Sequence, residues 1–171
     1  GAMVSVEDLM AVADDVAARP DAQADNISVM GGSFGGYMTN WIGTQEDRFR
    51  CLITHAGLYN LQSFHAITDL PAYWSFMFGQ NPYEDHEAFT RYSPHRHIQN
   101  WKSPTLIIHG QRDYRVPVGE AIALFEALQY HGVESEFLLY PDENHWILKP
   151  RNIKTWYHEV FRFIDHHAGK A

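Results

Sequence analysis

The sequence has one cysteine, Cys51, among 171 residues, so no internal disulfide can staple the chain. That usage fits a reducing compartment, and a cytoplasmic location is expected. No apolar run approaches the roughly 20 residues that a membrane-spanning helix needs, and no basic-then-apolar leader precedes the first helical stretch, so no membrane role is expected. Basic clusters are missing too. The 13 Lys and Arg are scattered among 21 Asp and Glu, for a net charge of −8, which argues against nucleic-acid binding. Histidine is plentiful, at eleven, but the nearest approaches to clusters, His95-Arg96-His97 and His166-His167, have no cysteine or carboxylate at ligand spacing. They read as solvated surface, and no metal or other cofactor is expected.

What is present is the material for a core. Hydrophobic residues make up 45% of the chain, enough for one domain and short of two. Gly1-Ala2-Met3 reads as the remnant of a cleaved tag, with the native sequence expected to begin near Val4. Ser5-Val6-Glu7-Asp8 has the form of a helix start, and Val6, Leu9, Ala13 and Val16 recur at helical spacing, predicting a helix over 6–19. Ile27-Ser28-Val29-Met30 predicts a strand that runs into glycines. A helix follows from about Gly36, carrying Tyr37, Met38, Trp41 and Ile42, and Cys51 to His55 reads as a second strand.

From Leu58 to Asn100 the chain is aromatic-rich and reads as short helices joined by turns, with Ser93 as N-cap and Pro94 as first helical residue of one of them. Pro104 opens a third strand that Gly110 ends. Val118, Ile122, Phe125 and Leu128 mark the buried side of a helix stopped by Gly132, and Glu136 to Tyr140 supplies a fourth strand. A last helix runs from about Asn152, with Trp156, Val160, Phe163 and Ile164 on one face. This alternation predicts an α/β fold: a mostly parallel sheet of about four strands with helices on both faces.

Gly31-Gly32-Ser33-Phe34-Gly35 fits G-x-S-x-G between a predicted strand and a predicted helix, the setting of a nucleophile elbow. In such a turn the serine sits in strained backbone, flanking glycines avoid collision, and the hydroxyl projects above the sheet. The backbone N–H of Phe34, at the positive end of the following helix, is placed to donate to an oxyanion. The competing reading is a Gly-rich turn with a capping serine. Asp113 follows the third strand and His145 the fourth, and catalytic groups gather beyond such strand ends in open α/β sheets. A turn-forming aspartate and a surface-loop histidine are their ordinary alternatives. The order Ser33, Asp113, His145 is that of α/β hydrolases: nucleophile, orienting acid, general base.

Gly31 to Asn40 (GGSFGGYMTN), His109 to Pro117 (HGQRDYRVP) and Asn144-His145 resemble the prolyl oligopeptidase family, in particular its acylaminoacyl-peptidase and dipeptidyl-peptidase-like branch. The resemblance runs from about Val4 to the C-terminus. It implies a serine peptidase acting on short peptides, with the chain forming the C-terminal portion, 4–171, of a partial α/β-hydrolase catalytic domain. It further implies that Arg115 holds a substrate main-chain carbonyl and that Trp74 and Phe78 line the pocket for the residue before the scissile bond. A solvated loop arginine and core aromatics are the alternatives.

The family's catalytic domain has further strands ahead of this segment, with a second oxyanion donor. Their lack here implies weak or absent turnover, and an exposed strand edge that a homodimer or domain-swapped oligomer would cover. A carboxylesterase, and a non-catalytic remnant whose triad is not assembled, are the other functional readings.

Overall fold

Four apolar segments pair into one parallel sheet in sequence order: β1 (Val29–Gly32), β2 (Leu52–His55), β3 (Thr105–Gly110) and β4 (Ser135–Tyr140). The helices are α1 (Val6–Ala17), α2 (Phe34–Gln45), α3 (Leu61–Ile67), α4 (Pro71–Phe78), α5 (His86–Arg91), α6 (Gly119–Tyr130) and α7 (Pro150–His167), with two 3-10 turns at Pro94–Arg96 and Ile98–Asn100. This is a computed structural model, and it describes residues 6–79 and 81–169. The expected helix start at Ser5 and the Gly1-Ala2-Met3 segment lie outside the described residues.

Side chains on a strand alternate between its two faces, and the cores divide along that alternation. Leu52 and Ile107 pack on one face with Ile42 of α2, Leu124 and Leu128 of α6 and Ala13 of α1. Ile53, Leu106 and Ile108 pack on the other with Val160 and Phe163 of α7. Helices therefore cover both faces, as the sequence alternation predicts. A third core joins the aromatic insert to α2 through Tyr37, Met38, Leu58, Phe64, Trp74 and Phe89, with Val116 among them.

Three local expectations are corrected. The first strand lies over Val29–Gly32 instead of 27–30, because pairing with β2 places Gly31 opposite Thr54 and Gly32 opposite His55. Glycine's poor strand propensity is outweighed there by an existing ladder. The next helix begins at Phe34, two residues before the expected Gly36. Ser93 does precede a helical turn, but its hydroxyl does not cap it. It accepts from the Leu61 N–H at 2.9 Å and lies 2.7 Å from His95 Nδ1.

The buried face of α6 also differs. Ala121, Leu124 and Leu128 are buried while Ile122 is 52% exposed. The helix is turned so that Glu120 points inward. Its carboxylate accepts from the backbone N–H groups of Tyr59 and Asn60, at 2.7 Å each, and from Ser63 Oγ at 3.2 Å. Burial raises the pKa of Glu120, and those hydrogen bonds oppose the rise. Glu120 thus ties α6 to the start of the insert. Glu120→Ala orphans two backbone donors at about 1–3 kcal/mol each, so urea unfolding should show a loss of that order; a change below about 0.5 kcal/mol would contradict the role.

Candidate active site

Ser33 occupies the turn from β1 into α2 with φ 58° and ψ −120°, a conformation uncommon for residues other than glycine. Its N–H donates to the His55 carbonyl at 2.9 Å, so the strained residue is held by one more rung of the β1–β2 ladder. Gly31 lets the turn close, since a Cβ there would fall 2.1 Å from the Gly35 carbonyl oxygen. The same crowding, expected at Gly35, is absent: a Cβ at Gly35 meets nothing within 4 Å. Its side faces open space, and the helix-side constraint passes to Gly36, where a Cβ would approach Gly57 Cα at 2.7 Å.

Ser33 stands at the N-cap position of α2, yet its hydroxyl makes no capping hydrogen bond. Oγ lies 3.0 Å from His145 Nε2 instead. The reading of Ser33 as a helix-capping serine therefore fails on its hydrogen-bond partner. Phe34 opens α2, so its N–H has no acceptor within the helix and lies at the positive end of the helix dipole.

His145 comes from the β4–α7 loop and Asp113 from the β3–α6 loop, and the structure brings His145 Nδ1 to 2.7 Å from Asp113 Oδ2. Asp113 is buried. Its other oxygen, Oδ1, accepts from the N–H groups of Arg115 and Val116 at 2.9 Å each. One carboxylate thus fills two of the roles weighed for it, turn-former and partner of a histidine. Burial by itself would raise the Asp113 pKa, but hydrogen bonds from His109, His145 and the Val116 N–H overcome it and hold the carboxyl well below the usual carboxylate range. An ionised carboxylate can only accept, which places the imidazole proton on Nδ1 and turns the Nε2 lone pair toward the serine hydroxyl.

Two further histidines stand at the same edge and were not singled out from sequence. His109 places Nε2 2.7 Å from the Val116 carbonyl and 3.4 Å from Asp113 Oδ2, beneath the carboxylate. His55, opposite Gly32 in the ladder, is pushed down to about 4, first by burial and then by the nearby His109 and His145. A polar residue at or near the carboxyl end of an apolar strand was the available signal for both.

The three residues assigned to substrate contact are distributed unequally. Arg115 Nε donates to Asp69 Oδ1 at 2.7 Å, and its carbonyl accepts from Thr68 Oγ1 at 2.7 Å. It is a half-exposed side chain held at the rim, not a freely solvated one. Trp74 is only 6% exposed and packs in the core, the alternative weighed for it. It packs edge-on to Phe64 and stacks on Phe78, with ring centroids at 5.1 and 5.7 Å. Phe78 remains partly buried.

A parallel sheet that raises a serine on the turn after a strand, with acid and histidine on later strand-end loops, is the organisation of the α/β hydrolases, and the solved structures that superpose on this chain support that fold class. The chain belongs to the prolyl oligopeptidase family, whose model matches residues 2–171. It is 36% identical over 166 residues to a dipeptidyl-peptidase 5 of Porphyromonas endodontalis, an alignment covering 94% of this chain and 24% of that protein. With dipeptidyl-peptidase 5 of Schizosaccharomyces pombe it shares 39% identity over 151 residues, covering 86% and 22%.

Acylaminoacyl peptidase of Pyrococcus horikoshii superposes with a TM-score of 0.86 at 28% identity, covering 93% of this chain and 27% of that one. A puromycin-hydrolyzing peptidase of Mycobacterium tuberculosis superposes at 0.90 with 26% identity, covering 97% and 25%. The chain spans about a quarter of the length of the curated relatives it matches.

The His55 shift has a consequence for stability. Unfolded, His55 takes up a proton near pH 6.5, whereas folded it does so only near 4. Between those values the unfolded state binds more protons, so this contribution is full above about pH 6.5 and declines as pH falls. His55→Gln should make the loss of urea stability between pH 7 and 5 smaller by up to about 2 kcal/mol. An unchanged loss would show that His55 is not the responsible group.

Proposed function

We propose that the chain carries the catalytic triad of a serine peptidase, with Ser33 as nucleophile, His145 as general base and Asp113 as orienting acid. The observation that carries this reading is the continuous hydrogen-bonded line from Ser33 Oγ through the His145 ring to buried Asp113, at 3.0 and 2.7 Å. On attack, the serine proton passes to Nε2 as the Oγ–carbon bond forms, and the charge on the former carbonyl oxygen meets the Phe34 N–H and the end of α2. Collapse breaks the bond to the leaving amine, which takes the proton from His145 and leaves an acyl group on Ser33. Water then attacks with His145 again as base, releasing the acid and restoring the serine.

Short peptides or acyl-amino-acid substrates fit the peptidase names of the relatives. Arg115, anchored by Asp69, would hold a substrate carbonyl, and Phe78, backed by Trp74, would contact the side chain before the cleaved bond. The Phe34 N–H is the one oxyanion donor identified among the described residues. A second oxyanion donor is worth about a hundred- to a thousandfold in rate, so turnover by these residues acting alone would be slow. A cytoplasmic setting is supported by the lone thiol, Cys51, buried and unpaired. No helix among the described residues is long and apolar enough to cross a membrane.

A fluorophosphonate probe should label Ser33 in the folded protein. Ser33→Ala and His145→Ala should abolish labelling, and Asp113→Asn should slow it by about four orders of magnitude. No labelling of folded wild type would instead favour an unassembled remnant. Cleavage of an acyl-amino-acid anilide supports the peptidase over a carboxylesterase; cleavage of a short nitrophenyl ester, the more reactive bond, decides little between them.

Self-association is proposed on a separate observation. β1 is the end strand of the sheet, with Met30 54% exposed. Beside it runs an apolar groove of about 500 Å³ lined by Leu9, Val12, Val16, Val29 and Phe34 among others. An unpaired strand edge next to apolar surface invites pairing with a second copy. Light scattering at micromolar concentration should report a dimer; a single monomeric species would end the proposal.

A further inference from the structure

The His166-His167 pair at the end of α7 has a carboxylate beside it after all. Glu134, in the turn that enters β4, places Oε1 3.6 Å from His167 Nε2 and 3.9 Å from His166 Nε2. The three ligand-capable atoms lie within 4.8 Å of one another. Spacing along the sequence could not reveal this, because Glu134 arrives from a different element.

A second observation points the same way. The His167 side chain is 8% exposed, and its Nε2 is buried without a hydrogen-bond partner. A buried ring nitrogen left unpaired needs an explanation. Its aim is fixed by the ring of buried Phe163, 4.4 Å away between centroids. The side chains of Glu134 and His166 are 60% and 68% exposed, so the cluster is open to solvent on one side. Arg162, whose charge acts on His167, already pairs with Glu136 and Glu159.

We propose that Glu134, His166 and His167 bind a divalent transition-metal ion of the zinc class. Two imidazole nitrogens and one carboxylate oxygen form a donor set that zinc accepts, with a fourth position left to water. Bonds of about 2.0–2.2 Å in a tetrahedron set ligand atoms roughly 3.4 Å apart, so the two measured separations need only close slightly, through the exposed side chains of Glu134 and His166 moving toward the fixed His167 ring. Glu134 precedes the start of β4, whereas Ser33 follows the end of β1. In a parallel sheet those are opposite edges, so the ion takes no part in hydrolysis. It joins the last turn of α7 to the entry of β4, and stabilises the fold by binding the native state alone.

The test uses the untagged 171-residue chain and zinc chloride, read by calorimetry and by thermal unfolding. One ion should bind with micromolar affinity and raise Tm, with EDTA reversing the shift. Glu134→Gln and His167→Ala should each weaken binding by about tenfold or more, while fluorophosphonate labelling of Ser33 and the zinc response of His95→Ala stay as in wild type. If His167→Ala fails to fold, Glu134→Gln, at an exposed position, carries the comparison. No zinc binding by the wild type, or equal binding by Glu134→Gln, would overturn the site.

Discussion

The charge on Asp113 is the interaction on which the site depends. A carboxylate removed from water is stable only if its oxygens are supplied with donors, and here three elements supply them. The loop that carries Asp113 folds back to offer the N–H groups of Arg115 and Val116, β3 offers His109 from below, and the β4–α7 loop offers His145. Each donor is also constrained by the carboxylate it serves. The loop after β3 is shaped by Oδ1 and the tautomer of His145 is set by Oδ2, so one buried charge organises both backbone geometry and proton location.

The sheet delivers those groups to one edge. Strands in parallel register end together, so Ser33 after β1, His55 at the end of β2, Asp113 after β3 and His145 after β4 converge without any long-range adjustment of the chain. The strain at Ser33 is local and held from both sides, by the His55 carbonyl before the turn and by the first turn of α2 after it. Strain of this kind persists only where surrounding structure over-determines it. His55 adds no competing charge beside that centre, since it remains neutral well below pH 7.

The opposite edge obeys the same geometry with different residues. The starts of β2 to β4 and the end of α7 meet there, and the carboxylate and imidazoles of Glu134, His166 and His167 come together because the helix returns antiparallel to the strands it covers. The insert between β2 and β3 adds a third layer, in which Trp74 gives its area to the core and leaves Phe78 and Arg115 nearer the rim.

The periodicities of the sequence determined the alternation of strands and helices, the two covered faces and the candidates Ser33, Asp113 and His145, because apolar spacing and turn glycines act over a few residues at a time. Boundaries that pairing controls were not legible. Gly31 and Gly32 became strand only through β2, and α6 rotated about Glu120 to satisfy two distant N–H groups. The partners of a buried charge belong to the same class: His109 under Asp113, the open space beside Gly35 and the meeting of Glu134 with His167 are contacts between segments remote in the chain. Burial and hydrogen-bond satisfaction are properties of the packed molecule, so only the tertiary structure decided which serine, aspartate and histidine point at one another, and which aromatic belongs to the core.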